Sequence, residues 1–138
     1  MTAEAQDKLI RRLVDKIRLN TKDIMKYEEV EVDDAEIIVV SYGISARIAR
    51  YAVQKAREEG IKAGLLRLIT VWPFADDRIG ELASGAKAFI VPEINYGQIV
   101  REVERCVAGK AKVRLVPHMG GGVHLPETVL KAIREEAR

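Results

Sequence analysis

The sequence predicts an α/β fold: a three-layer, doubly wound, mostly parallel sheet of four to five strands with an amino-terminal helical extension. Two observations support this prediction. Four short apolar runs are each followed by a segment with helical periodicity, and the 138 residues, 48% of them hydrophobic, suit one domain with a modest core. Strands that alternate with helices through short connections favour right-handed crossovers and a parallel sheet covered on both faces.

Residues 1–34 are predicted to form a helical linker, and residues 35–138 the α/β domain. The linker carries apolar residues at helical spacing, and these are Leu9, Ile10, Leu13, Val14 and Ile17. The following stretch TKDIMKYEEVEVDD is charged and has no firm period. Because a lone amphipathic helix must bury its apolar stripe, we expect it to pack on the sheet domain or on another chain.

The four apolar runs are predicted as strands, and the first, which is continuously apolar from Ile37 to Val40, as a strand covered on both faces. They are EIIVVSYG (36–43), GLLRLITV (64–71), AFIVPE (88–93) and KVRLVP (112–117). The first helix presents the stripe Ile48, Ala49, Ala52, Val53 and Ala56 and stops at Gly60. The second helix follows Asp76 and Asp77, and the third runs from Ile99 to Gly109. The last helix starts at Pro126, and the preceding Leu125 lacks the hydroxyl group that would cap it well.

Composition excludes several classes of function. The net charge of +2 is too small for the basic surface of most nucleic-acid-binding proteins. Because Cys106 is the single cysteine, neither an intrachain disulfide nor a cysteine metal cluster is expected. Cys106 lies on an apolar helical stripe, which favours packing over reactivity. No apolar run approaches the roughly 20 residues of a membrane span, and the start of the sequence lacks a secretory signal, so we expect a cytoplasmic protein without membrane association.

Candidate functional residues follow the strands, because ligands bind at the carboxyl ends of strands in open parallel sheets. After the first strand, Gly43 allows a tight turn, Ser45 could cap the helix, and Arg47 lies near free amides that could hold an anion. No nucleotide-binding fingerprint is present. Helix capping is therefore the favoured interpretation, and anion binding stays open as the alternative.

Two further strand ends give weak signals. Trp72 and Phe74 flank Pro73 after the second strand, which favours an apolar lid over the sheet end. After the fourth strand, His118 and His124 surround Gly120–Gly122. Two histidines without a cysteine or carboxylate cluster are a weak metal signal, so we expect a flexible loop there.

The stretch PEINYGQ after the third strand is the richest in polar side chains. Glu93 could act as an acid or base, and Asn95 or Gln98 could donate to an oxyanion, but the sequence offers no partner at a defined spacing. A turn in which Gly97 opens the following helix explains the same residues. The sequence therefore predicts no catalytic, cofactor-binding or metal-binding residue in this chain.

The segments SYG, LRLITVWPF, PEINYGQ and GGGVHLPETVLKAI, taken as a set, resemble the carboxyl-terminal domain of the alpha subunit of 2-oxoacid:ferredoxin oxidoreductases, including those acting on 2-oxoglutarate. The resemblance covers nearly the whole chain. It implies a fold similar to the transketolase carboxyl-terminal domain. It also implies a complex that oxidatively decarboxylates a 2-oxoacid to an acyl-CoA and passes the electrons to ferredoxin.

The resemblance implies a noncatalytic role at a subunit interface for this chain. Thiamine diphosphate, magnesium, iron–sulfur clusters and coenzyme A would belong to the full complex and be held elsewhere. The implied partners are the amino-terminal domain of the same alpha chain and the beta subunit, with ferredoxin met only through the complex; a homodimer through the amino-terminal helix is also compatible. A stand-alone module that binds a small anion or nucleotide is the alternative. The candidate contacts are Gly43, Ser45, Arg47, Glu93, Asn95, Tyr96, Gly97 and Gln98.

Overall fold

A computed structural model describes residues 2–138 as a five-stranded sheet flanked by helices. In chain order the elements are α1 (Ala3–Arg18), α2 (Thr21–Ile24), β1 (Tyr27–Val30), β2 (Ile37–Tyr42), α3 (Gly43–Glu58), β3 (Ala63–Leu68), α4 (Asp76–Leu82), β4 (Ala88–Glu93), α5 (Ile99–Val107), β5 (Lys112–Pro117) and α6 (Pro126–Glu136). Among these residues, no helix combines the length and the apolar character that crossing a membrane requires.

The sheet has the strand order β1-β3-β2-β4-β5, and all strands except β1 run parallel to their neighbours. This arrangement confirms the predicted fold class. The bounds of β4 and β5 match the prediction, β2 is shorter by one residue at each end, and β3 ends at Leu68, three residues before Val71. Beyond Leu68, the backbone of Ile69 and Thr70 bonds to Lys26 instead of continuing along β2.

The edge strand β1 was not predicted from the sequence, which offered only a charged stretch without a period. Its residues pair antiparallel with β3, from Tyr27 opposite Leu68 to Val30 opposite Leu65. Glu28 bonds to Arg67 and Arg50, and Glu29 bonds to Arg78. A half-exposed edge strand held by ion pairs needs no apolar run, which is why hydrophobic patterning missed it.

Helices cover both faces of the sheet and create two separate apolar clusters. Successive strand residues point to opposite faces, so Ile37 and Val39 of β2 pack under α3 and α6, whereas Ile38 and Val40 pack under α4 and α5. All six residues of β4 are buried. This two-sided burial explains why the strands β2, β3 and β4 appear as continuous apolar runs in the sequence.

The helix starts agree only in part with the prediction. Ser45 is not the cap of α3: the helix begins at Gly43, Tyr42 occupies the N-cap position, and Ser45 is buried in the first turn. Gly43 has φ +55°, and this conformation lets the chain turn from β2 straight into the helix. Pro126 is the first residue of α6 as expected, and Leu125 at the N-cap makes no side-chain hydrogen bond.

The predicted amino-terminal helix is confirmed as α1, but none of its residues is buried against the sheet. Leu9, Ile10 and Leu13 remain exposed. The segment after α2 is tied to the loop that follows β3: the Lys26 amide donates to Thr70 Oγ1 over 2.8 Å, and the Lys26 carbonyl accepts from the amides of Ile69 and Thr70. The amino-terminal helices therefore leave the domain at the edge where the parallel strands end.

Candidate functional site

The strands β2 and β4 separate at their carboxyl ends. They pair only from Ile37 opposite Ala88 to Val39 opposite Ile90, although each strand has six residues. The chain leaves β2 toward β3 and returns on the other side to form β4. Ligands of open α/β sheets bind at such a switch in strand order. Tyr42 and Glu93, the last residues of the two strands, lie where the strands separate.

Glu93 is fully buried, with 0% of its surface exposed, and its carboxylate caps α5. The carboxylate accepts backbone N–H groups from Gln98 at 3.2 Å, Ile99 at 3.0 Å and Val100 at 2.8 Å. The first amides of a helix have no partner within the helix, and the helix dipole favours a negative charge there. Glu93 supplies both the acceptor and the charge, although it lies in the preceding strand.

Tyr42 and Asn95 complete a closed hydrogen-bond network around this carboxylate. The Tyr42 hydroxyl donates to Glu93 Oε2 at 3.2 Å, and Asn95 Nδ2 donates to the same oxygen at 3.1 Å. Asn95 Oδ1 accepts the Gly97 amide at 2.7 Å, and Gly97 adopts φ +100°. Burial, and the neighbouring charge of Glu93, raise the pKa of Tyr42, so its hydroxyl remains a donor.

The arrangement is that of a rigid turn. Both carboxylate oxygens of Glu93 accept hydrogen bonds from groups of this chain, so the acid or base that the sequence suggested is already occupied. Gly97 does not open α5, because the helix begins at Ile99 and Gln98 is its N-cap residue. Sequence reasoning missed Tyr42, whose only signal was an aromatic hydroxyl at the end of a strand.

The other candidate residues lie outside this network. Tyr96 points away from it and is 79% exposed. Gly43 and Ser45 belong to the first turn of α3, next to Tyr42, and Arg47 is exposed one turn further along. The structure thus brings together Glu93, Asn95, Gly97 and Gln98, while the α3 residues form a separate group.

The loop after β5, which contains His118 and His124, was expected to be flexible, but one of its histidines is buried. His124 is buried, and its Nε2 atom lies 2.8 Å from the carbonyl oxygen of Val116, so this nitrogen is the donor. Its Nδ1 atom and the buried Ser41 hydroxyl have no hydrogen-bond partner among the described residues. The ring centroid of His118 lies 5.4 Å from that of His124. Within residues 2–138, no group of three or more His, Cys, Asp or Glu side chains is placed to hold a metal ion.

Apart from the buried Glu93, the segments at the carboxyl ends of the four parallel strands carry no charged residue. Segments 41–46, 69–75, 94–99 and 117–126 contain no Asp, Glu, Lys or Arg, whereas 32% of the whole chain is charged. We call these four segments the uncharged edge. The opposite edge is charged, with Glu31, Asp33, Asp34, Glu36, Lys62, Lys87 and Lys110 before its strands. This asymmetry is a property of the folded sheet, because the four segments are distant in sequence.

The uncharged edge also exposes most of the large apolar side chains that lie on the surface. Trp72 is 66% and Leu125 72% exposed, and Phe74 is buried, so only part of the expected aromatic lid covers the sheet. The exposed members of the edge are Ile44, Ile69, Val71, Trp72, Ile94, Tyr96, Met119, Val123 and Leu125. A surface that is apolar, contains aromatic residues and lacks charge has the composition of the core of a protein interface.

Comparison with known proteins gives a consistent family. Residues 35–129 match the family model described as pyruvate:ferredoxin oxidoreductase core domain II. The chain is 45% identical over 133 residues to the 2-oxoglutarate synthase subunit KorA of Methanocaldococcus jannaschii, covering 96% of this chain and 36% of that protein. It is 53% identical over 113 residues to the ketoisovalerate oxidoreductase subunit VorB of Methanothermobacter thermautotrophicus, covering 82% of this chain and 32% of that protein.

A solved structure has the same fold. The 2-oxoglutarate:ferredoxin oxidoreductase from Magnetococcus marinus, with 2-oxoglutarate, coenzyme A and succinyl-CoA bound, superposes with a TM-score of 0.77 at 21% sequence identity. The superposition covers 99% of this chain and 24% of that one. The chain spans about a third of the length of the curated relatives it matches.

Proposed function

The chain belongs to the pyruvate:ferredoxin oxidoreductase core domain II family, and on that premise we propose that it is a noncatalytic docking domain in the alpha chain of a 2-oxoacid:ferredoxin oxidoreductase. The complex would oxidatively decarboxylate a 2-oxoacid to an acyl-CoA and pass the electrons to ferredoxin. Residues 35–138 would form the domain proper. Residues 1–34 would connect it to the rest of the subunit, with β1 joining this connector to the sheet.

The uncharged edge is the observation on which the proposal rests. An interface core excludes charge, because charges that lose water without finding partners are costly to bury. The turn at Glu93, Asn95, Gly97 and Gln98 lies on this edge and displays Tyr96 outward. Gly43 and Ser45 belong to the same edge at the start of α3, and Arg47 follows directly after it. Of these eight candidate residues, we assign the six that reach the surface to contacts with another domain or subunit, whereas the buried Glu93 and Ser45 would support that surface from within.

The cofactors of the reaction are proposed for other parts of the complex. These are thiamine diphosphate with magnesium, iron–sulfur clusters and coenzyme A. Two ligand types that such cofactors use are not free in the described residues: the buried carboxylate of Glu93 is occupied by the amides of α5, and Cys106 is the single cysteine. An iron–sulfur cluster requires several cysteine ligands. The chain would therefore position the domains that perform the chemistry.

We propose 2-oxoglutarate as the substrate of the complex. Two relatives named 2-oxoglutarate synthase subunits align with 96% and 94% of this chain, and the ketoisovalerate relative aligns with 82%. The substrate would be selected by other domains, so the assay must be made on the assembled complex. The partners would be the rest of the alpha subunit and the beta subunit, and ferredoxin would bind through the complex.

Purification of the tagged chain from the cells that produce it tests the proposal. We expect it to recover oxidoreductase polypeptides, and the recovered complex to reduce ferredoxin when supplied with 2-oxoglutarate and coenzyme A, whereas the isolated chain does not. A chain that copurifies with no oxidoreductase polypeptide would refute the assignment. A rise in melting temperature with phosphate, nucleotide or coenzyme A would instead support the alternative of a small-anion module at the first turn of α3.

A further inference from the structure

We propose that His118 and His124 form a binding site for one Cu⁺ ion in the loop between β5 and α6. The ion would lie between the two imidazole rings and would fix the segment Gly120–Gly122 that separates them. The site would belong to this chain alone, so it does not require assembly of the complex. Four properties of the loop support it: a free nitrogen on His124, the distance between the rings, the packing of Gly122 and the lack of charged ligands.

His124 has a buried ring nitrogen that is available as a ligand. Only 2% of the residue is exposed, and its Nε2–H donates to the carbonyl oxygen of Val116 over 2.8 Å. The lone pair is therefore on Nδ1, which has no hydrogen-bond partner among residues 2–138. Buried acceptors nearly always have a partner, so this atom needs an explanation. Histidines that bind metal ions commonly donate their other ring N–H to a backbone carbonyl, as His124 does.

The ring of His118 lies at the distance that a shared metal ion requires. The ring centroids of His118 and His124 are 5.4 Å apart, and the ring planes are tilted by 47°. A metal ion about 2.0–2.1 Å from a ring nitrogen lies about 3.2 Å from the centre of that ring. Two rings that share such an ion at a tetrahedral or trigonal angle have centres about 5.2–5.5 Å apart. The backbone therefore already brings the two rings to this separation.

The loop holds both histidines in place before any ion binds. The His118 amide donates to the carbonyl oxygen of Glu93 in β4 over 2.8 Å, while the His124 ring is bonded to Val116 in β5. Gly122 makes room for the His118 ring, because a Cβ atom at this position would lie 2.8 Å from its Nε2 atom. A preorganised pair of ligands loses little conformational entropy when the ion binds.

The donors around this position favour a soft monovalent ion. Residues 117–126 contain no Asp or Glu, so the ligands are neutral imidazoles and the thioether of Met119, an exposed residue next to His118. Mg²⁺ and Ca²⁺ require oxygen ligands, and structural Zn²⁺ sites take four ligands. A divalent ion among neutral ligands would keep two uncompensated charges, whereas Cu⁺ keeps one. Thioether ligands also select Cu⁺.

Competition with a chromophoric Cu⁺ chelator, under anaerobic reducing conditions, tests the site. The parent protein is the untagged chain with Cys106→Ala, because the thiol would compete for the ion. We expect one equivalent of Cu⁺ to bind, and His118→Ala to weaken the Kd by at least about tenfold. Gly122→Ala keeps both histidines, but its Cβ atom displaces the His118 ring, so it should weaken the Kd by about tenfold as well.

Gly85→Ala is the matched control for Gly122→Ala. A Cβ atom at Gly85 meets nothing within 4 Å, and the residue lies between α4 and β4, outside the loop. It should change the Kd by less than about twofold. Should His118→Ala melt well below the parent protein, the comparison of the two glycine variants decides.

NMR of the imidazole nitrogens locates the ion independently of the variants. Cu⁺ is diamagnetic, and the chain has two histidines, so the signals of the two rings can be assigned with His118→Ala. We expect the proton of His124 on Nε2, and we expect Cu⁺ to shift the Nδ1 signal of His124 while that proton stays. One ring nitrogen of His118 should shift at the same ratio of ion to protein.

Several results would overturn the proposed site. They are equal affinities of the parent protein and Gly122→Ala, ring nitrogens that do not shift, and a proton on Nδ1 of His124. Zn²⁺ bound as tightly as Cu⁺ would also overturn it, because the neutral ligands would then not select a monovalent ion. None of these results affects the proposed function, which rests on the uncharged edge.

Discussion

Tyr42 and Glu93 lie 51 positions apart in the chain and meet through a 3.2 Å hydrogen bond at the point where β2 and β4 separate. The bond joins the ends of two strands whose backbones are no longer paired there. Glu93 also accepts hydrogen bonds from the amides of α5, and Asn95 donates to both Glu93 and Tyr42 from the turn that carries Tyr96. The geometry of the uncharged edge therefore depends on a buried polar network.

Replacing Glu93 with Gln tests the cap. Whichever way the Gln amide turns, its NH₂ group faces backbone N–H groups that the carboxylate now satisfies. We expect the free energy of unfolding to fall by about 2–4 kcal/mol, measured by urea denaturation. Glu104→Gln is the matched control, because Glu104 is an exposed residue of the same helix, and it should cost less than about 0.5 kcal/mol. Equal costs for the two variants would argue against the cap.

Replacing Tyr42 with Phe removes the hydroxyl and keeps the ring. The variant loses the donor to Glu93 and the acceptor for Asn95, so we expect a destabilisation of about 1–2 kcal/mol in urea denaturation. Tyr51→Phe serves as the control, because the hydroxyl of Tyr51 makes no hydrogen bond among the described residues. An unchanged stability of Tyr42→Phe would mean that the hydroxyl contributes nothing to the network.

The alkaline limb of the stability profile provides a separate prediction for Tyr42. Because its pKa is raised in the folded state, the unfolded chain loses this proton first as the pH rises. The stabilising contribution is complete below the ordinary tyrosine pKa of about 10 and is lost as the pH rises through the folded value. Tyr42→Phe should therefore show a shallower decline of stability above about pH 10. A decline of equal slope in both proteins would contradict the prediction.

Cys106 is predicted to be a poorly reactive thiol. Burial and the Asp76 carboxylate, whose Oδ1 lies 3.4 Å from Sγ, raise the pKa of Cys106 to about 12. Since the thiolate is the nucleophile, alkylation by iodoacetamide at about pH 8 should be far slower in the folded chain than in urea. The stabilising contribution of the thiol is lost as the pH rises from about 9 to about 12, and Cys106→Ala should flatten that part of the profile. Equal alkylation rates with and without urea would exclude this environment.

Gly64 marks the close approach of the connector to the sheet. A Cβ atom at this position would lie 2.7 Å from the carbonyl oxygen of Glu31 and 2.9 Å from Cα of Val32. We expect Gly64→Ala to destabilise the chain by about 1–3 kcal/mol, because the backbone must shift. Gly85→Ala is the control, since a Cβ there meets nothing within 4 Å. Thermal melting of the two variants tests this contact, and equal melting temperatures would show that the segment after β1 does not pack there.

Much of the fold was predictable because its signals are local. Burial of β2, β3 and β4 on both faces requires continuous apolar runs, and these runs were visible in the sequence. Pro126 marked the start of α6 and Gly60 followed the end of α3 for equally local reasons. The strand β1 was not predictable in this way, because Glu28 and Glu29 are satisfied by arginines from distant parts of the chain.

The sequence by itself determined the layers of this protein: hydrophobic periodicity decides which segments become strands and helices and which faces they bury. It also placed polar residues at the strand ends, but it left Glu93 open to interpretation as an acid or as part of a turn. Only the tertiary structure decided between them, by bringing the carboxylate to the amides of α5 and the hydroxyl of Tyr42. The physical reason is that the state of a buried carboxylate depends on the donors around it, and those donors are assembled by folding.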